Sequence, residues 1–108
     1  MRIIFLFFIL ANILFAIPAK DAYKYVGESV EVCGKVVEIF RHNNGHVFLN
    51  IDGRYPNQKI SFVIWNKYTK NFRGLRLKNK KICVKGLIRE YRGRLQIFLK
   101  NKNQLRFE

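Results

Sequence analysis

From Ser29 onward the chain alternates apolar and polar side chains with a period of two. Val30, Val32, Gly34 and Val36 fall on one face and Glu31, Cys33 and Lys35 on the other, before Ile39 and Phe40 extend the run. That period predicts a long first strand with a bend in it. Arg41 to His46 contains Asn43-Asn44-Gly45, and Asn and Gly adopt positive φ at little cost, so a turn is expected. The chain then doubles back as Val47-Phe48-Leu49-Asn50-Ile51. Asp52-Gly53 closes this second strand, 54–58 form a loop, and Lys59 to Trp65 reads as a third strand rich in branched and aromatic residues.

After the third strand the pattern changes. Asn66 is placed to cap a two-turn helix over Lys67 to Arg73, and Gly74 to end it. Tyr68 and Phe72 lie four apart on one helical face and read as a plug for the end of the core. Lys81 to Ile88 is the fourth strand, Arg89 to Arg94 a hairpin connection, and Leu95 to Leu99 the fifth strand. Phe48, Phe62 and Phe98 alternate with aliphatic residues at strand spacing and read as core. Five short strands with one short helix between the third and fourth is the order of the mainly β OB-fold, a five-stranded Greek-key barrel whose second and third strands carry the binding face. Gly34 and Gly86, each in mid-strand, fit the bends that such a small barrel needs.

The first 17 residues carry one charge, Arg2, followed by an apolar run broken only by Asn12. This is the form of a signal peptide. Ile3 to Ile17 falls short of the roughly 20 apolar residues that span a bilayer. The division expected is a signal peptide over 1–19, cut after Ala16 or Ala19, and an OB-fold domain over 20–108. The product is then exported, periplasmic or secreted, with an uncleaved inner-membrane anchor as the alternative. Export matters for Cys33 and Cys83, the only cysteines, because outside the cytoplasm a thiol pair can oxidise. In an OB barrel the first and fourth strands are antiparallel neighbours, so the two cysteines form either one cross-strand disulfide or two small, partly buried thiols.

Charge narrows the partners. In 108 residues there are 21 Lys and Arg against 7 Asp and Glu, a formal charge of +14. A chain this short holds one domain. Its 49% hydrophobic and 15% aromatic content excludes a disordered basic tail. The surface should attract polyanions, whether nucleic acid, anionic lipid or acidic glycan. No catalytic set can be assembled from the scattered acids, and His42 and His46 without a neighbouring carboxylate make a poor metal site. The expectation is a binding protein with no catalytic residues, no metal and no cofactor.

Nucleic-acid binding needs cations along a phosphate track and flat rings for bases. Tyr91, Arg92 and Arg94 place both at one hairpin tip, and Arg41, His42 and Asn43 supply polar and positive groups in the loop between the first two strands. Arg54 and Tyr55 precede the third strand. Trp65, at its end, either offers a stacking platform or caps the barrel. Lys67, Lys70, Arg73, Arg76, Lys78, Lys80 and Lys81 form a basic run on the helix side, read as a second polyanion contact, a membrane-surface contact or a solubilising face.

Several segments carry a family resemblance: Gly27-x-x-Val30-x-Val32-x-Gly34-x-Val36, Val47 to Ile51, Tyr55-Pro56 before Phe62-Val63-Ile64, and Gly86-x-Ile88-x-x-Tyr91-x-Gly93-x-x-Gln96-Ile97 with Gln104-Leu105. Together they resemble the small bacterial OB-fold modules of the tRNA-anticodon-binding-like, nucleic-acid-binding type, found alone in exported proteins or attached to extracellular nucleases. Leu95 stands where such modules often have Pro. The resemblance covers roughly Tyr25 to Leu105 and implies the fold and a binding tendency, without a particular ligand. The combined expectation is an exported, monomeric module that binds single-stranded nucleic acid without sequence preference. The alternative is an envelope interaction protein whose partner is a protein, anionic lipid or acidic glycan.

Overall fold

The computed structural model describes residues 16–108. Most of the expected signal peptide, 1–15, lies outside the described residues. Eight strands follow in order: β1 Ala16–Pro18, β2 Ser29–Arg41, β3 Val47–Ile51, β4 Ile60–Ile64, β5 Lys81–Leu87, β6 Arg89–Tyr91, β7 Arg94–Phe98 and β8 Leu105–Phe107. They form one sheet in the order β6-β7-β4-β3-β2-β5-β8, with β1 beside β2. Curled on itself, this is the OB-fold as a half-barrel.

Two bends produce the curl. The first half of β2, Ser29 to Lys35, pairs antiparallel with β5, and the second half, Val36 to Arg41, pairs with β3. Between them the register slips at Val37, a bulge that turns the strand and exchanges its faces. Gly34 sits just before it, where a Cβ would run into the Ile51 side chain and lie 3.0 Å from Asp52 Oδ2. The second bend is at Ile88, which is fully buried and separates β5 from β6. Beyond it β6 pairs with β7, and β7 runs parallel to β4. Gly86, beside this bend, leaves room for Ile97.

Inside the curl lie Leu49, Ile51, Ile60, Phe62, Ile82, Ile88, Ile97 and Leu99, all essentially inaccessible. Phe72 is buried beneath them and Tyr68 packs half-buried against the same core. Ile17, Ala19 and Ala22 are buried in that core too. The segment from Ala16 to Tyr25, a short strand followed by a 3-10 helix, is thus part of the folded unit.

Several expectations are corrected. The described residues form eight strands rather than five, because β1 and β8 are additional three-residue edge strands and the first half of the expected connection, Arg89–Tyr91, is a strand of its own. The helix over Asn66–Phe72 is a 3-10 helix, and the Asn66 side chain does not cap it. Asn66 Nδ2 donates instead to the Asn44 carbonyl at 3.1 Å, while its backbone N–H donates to His46 Nδ1 at 3.0 Å, which ties the helix to the first turn. The connection expected over Arg89 to Arg94 is a two-residue turn at Arg92 and Gly93, with φ of 51° and 78°. Two positive φ values in succession match the right-handed twist of the flanking strands.

Cys33 and Cys83 face each other across β2 and β5 and are joined, with Sγ atoms 2.06 Å and Cα atoms 4.0 Å apart. Arg106 on β8 lies beside them, donating through Nε and Nη2 to the two carboxylate oxygens of Glu31 at 2.9 and 3.0 Å. These paired bonds hold the Glu31 carboxyl below the usual carboxylate range. Glu31, Cys33 and Cys83 place a carboxylate and two sulfurs within 4.8 Å of one another. With the sulfurs joined and Glu31 held by Arg106, none is free to bind a metal.

Candidate nucleic-acid interface

The register fixes which side chains share the outer face of the second half of the sheet. Across it, Phe40 lies opposite Phe48, Phe48 opposite Val63, and Val63 beside Phe98. One step along, Glu38 lies opposite Asn50, Asn50 opposite Ser61, Ser61 beside Gln96, and Gln96 opposite Arg89. An apolar, ring-bearing row thus runs parallel to a polar row. With strands roughly 4.8 Å apart, the ring row spans about 14 Å from β2 to β7.

Aromatic packing holds the ring row. Phe40 and Phe48 are tilted against each other at 6.2 Å, and Trp65 meets Phe98 edge-on at 5.6 Å and His46 edge-on at 4.4 Å. Phe40 is 49% exposed and Trp65 38%, while Phe48 and Phe98 are half-buried. Rings left this open on a sheet face are unusual without a partner. They contribute no charge, and the cations enter from the side: the Arg89 guanidinium carbon is 5.0 Å from the centre of Phe98, and that of Arg94 is 4.3 Å from Tyr55. Arg94 also donates a hydrogen bond to the Tyr55 hydroxyl.

The polar row is a chain of hydrogen bonds. Ser61 Oγ donates to Asn50 Oδ1 at 2.7 Å, Asn50 Nδ2 donates to Glu38 Oε1 at 2.9 Å, and the Tyr55 backbone N–H donates to that same oxygen at 2.9 Å. The Tyr55 and Asn50 donors, with the nearby Arg54 and Lys78 charges, hold the Glu38 carboxyl below its ordinary value. Glu38 therefore stays ionised and pins the loop that carries Tyr55. Arg54 Nη2 closes on Glu38 Oε2 at 3.1 Å, so its charge is matched within the protein.

Between the rows and this loop runs a groove of about 620 Å³ whose walls include Phe40, His42, Phe48, Tyr55, Gln58, Arg94 and Gln96. Of the residues expected at the site, His42, Tyr55 and Arg94 line it, Trp65 packs against Phe98 on the same sheet face beyond its walls, and Tyr91 lies opposite Arg94 on the hairpin. Arg92 occupies the turn with its guanidinium 5.2 Å from the Tyr91 ring. Asn43 is exposed at the tip of the first turn. Arg41 does not join them. It shares a face with Val47, on the core side, and lines a separate cavity with Thr69, Phe72 and Arg73.

Phe48 and Phe98 correct the core assignment, and Phe62 alone of the three is fully buried. Phe40, Phe48, Phe98, Arg89, Asn50, Ser61, Gln58 and Gln96 went unrecognised from sequence. The usable signal was period two within the strands: Asn50 follows Phe48 by two, and Gln96 precedes Phe98 by two, so a polar residue marks each ring's face.

A family described as the OB-fold nucleic acid binding domain matches residues 30–104. The chain belongs to that family. Among solved structures, this OB-fold domain is similar to a Leishmania major Friedlin chain described as an aspartyl-tRNA synthetase, at 11% identity and a TM-score of 0.62 over 89% of this chain and 21% of that one. It is similar to the asparaginyl-tRNA synthetase of Entamoeba histolytica at 15% identity and a TM-score of 0.60, over 90% of this chain and 24% of that one. A third likeness, to a chain of the S. pombe Stn1-Ten1 complex, has 14% identity and a TM-score of 0.54 over 74% of this chain and 57% of that one. The OB-fold domain thus spans a fraction of each of these longer chains. No curated protein sequence matches it.

Proposed function

We propose that this domain is an exported binding module that holds single-stranded nucleic acid in the groove across β2, β3, β4 and β7, without sequence preference and without performing chemistry. One observation carries the reading: Phe40, Phe48, Phe98 and Trp65 form an open ring surface on one sheet face, with Arg89 and Arg94 at its margin. Bases stack on such rings whatever their identity, while the guanidiniums meet phosphate. Affinity should fall steeply as salt rises, with a log–log slope of about 0.7 per phosphate contacted. Fluorescence anisotropy of a labelled oligonucleotide at rising salt measures it. No binding at low salt, or binding indifferent to salt, refutes the reading.

The export half of the proposal rests on the apolar N-terminus and on a disulfide that needs an oxidising compartment. Of the two cleavage positions, we propose the one after Ala16. Ile17 is buried and pairs with Val32, and Ala19 is buried beneath Gly34. A cut after Ala19 would discard both and open a hole in the core. Intact mass of the exported protein should place its first residue at Ile17; a start at Lys20 contradicts this.

A second reading is favoured by the basic run from Lys67 to Lys81, which contains no acid and contributes no wall to the groove, although Lys78 lies near Glu38 at its edge. There the domain would serve as one member of an assembly, as the similar S. pombe chain does in the Stn1-Ten1 complex, or would bind an acidic envelope surface. Binding to anionic vesicles that survives loss of the groove rings would favour it.

A further inference from the structure

Beyond Arg94 the surface dips again. A second pocket of about 370 Å³ lies between the β6–β7 hairpin, the loop before β4 and the N-terminal 3-10 helix, and Tyr23, Val26, Lys59 and Glu90 are among its walls. Gln58 and Arg94 line both this pocket and the main groove, so the two are neighbours across one shared wall. Tyr23 is 65% exposed, with Lys24 Nζ 5.8 Å from its ring centre. Nothing in the fold calls for a ring there: the buried residues of that segment are Ala19 and Ala22. Tyr23 also precedes residues 30–104, which the family match covers.

We infer that this pocket is a second nucleobase subsite, so that a bound single strand leaves the main groove over Arg94 and stacks a further base on Tyr23. The inference rests on the proposed single-strand binding and adds the direction and length of the strand's path. The walls fit a base better than a phosphate. Glu90, an exposed wall residue that makes no ion pair among the described residues, repels phosphate, while Lys59 and Arg94 in the same lining offer cations to the flanking backbone. Gln58 Oε1, in the shared wall, is buried and has no hydrogen-bond partner. A turn of the Gln58 side chain toward the pocket would bring this oxygen to an exocyclic amine on a base edge, which would supply the missing donor and remove the cost of a buried unpaired acceptor. A pocket of this volume lies within the range that holds small ligands.

The test is an oligonucleotide length series on the mature protein and on Tyr23→Ala. Tyr23 is exposed, and a matching urea midpoint will confirm that the variant folds. A four-nucleotide oligodeoxycytidylate, whose bases carry an exocyclic amine, fills the main groove alone, and a twelve-nucleotide one reaches both pockets. The substitution should weaken the twelve-mer roughly tenfold, the scale of one lost stack, and the four-mer less than twofold. Equal effects at both lengths, or no effect at either, overturn the second subsite while leaving the main groove intact. Failure of the wild-type protein to bind either length overturns the single-strand reading itself, and this inference with it.

Discussion

Replacing Cys33 and Cys83 together by alanine should cost about 4 kcal/mol of stability. The bond joins residues 50 apart in sequence, and closing a loop of that length in the unfolded chain removes entropy of about that size. The loop contains β3, β4 and the 3-10 helix, so the crosslink ties the two arms that the half-barrel must bring together. The urea midpoint should fall and the slope should rise, because the unfolded chain without the crosslink expands and exposes more surface. The melting temperature should drop by roughly 15–30 °C for a domain of this size. Reduction of the wild-type protein should reproduce the loss. Binding measured well below the melting point should be preserved, because the bond lies between β2 and β5 and the groove on the β3, β4 and β7 side. A change in stability below about 1 kcal/mol would show that the unfolded chain is already as constrained as the bonded one.

The strand order was legible because each long strand carries its own period and each main turn its own chemistry: Asn-Gly after β2, Asp-Gly after β3, a left-handed Gly74 after the helix. Less legible were the faces. Beyond Val36 an unbroken alternation would send Glu38 and Phe40 inward; the bulge at Val37 sends them outward and puts Ile39 and Arg41 on the core-side face, Arg41 at its exposed end. A one-residue slip reverses every later side chain, and no residue type announces it. That slip is why Arg41 is absent from the groove and Phe40 is in it. Phe48 and Phe98 escaped for a different reason: hydrophobicity identifies a core face only where the other face is polar, and here the outer face is itself apolar. The edge strands β1 and β8 are three residues long, below the length at which alternation can be read. The distinction between an α-helix and a 3-10 helix over Asn66–Phe72 was hidden because both accept the same flanking residues.

Phe48→Ala combined with Phe98→Ala should weaken single-strand binding on the order of 100-fold. Each base stacked on a ring contributes roughly 1–3 kcal/mol, and the two rings flank Val63 in one row, so their losses fall short of full additivity. The loss should be the same at low and high salt, since neither ring carries charge and the number of phosphate contacts is unaltered. Arg89→Ala with Arg94→Ala should behave in the opposite way: a smaller loss at high salt and a log–log salt slope shallower by about 0.7 for each contact removed. The two signatures separate stacking from phosphate attraction on one sheet face. Folding must be followed alongside, because Phe98 also packs against Trp65 and Arg89. Both rings are half-buried on the outer face, so the double variant should remain folded, whereas Phe62→Ala removes a fully buried ring at a cost of about 3–5 kcal/mol. A double variant that is folded and binds within threefold of wild type would remove the sheet face from the interface and leave the basic helix side as the polyanion contact.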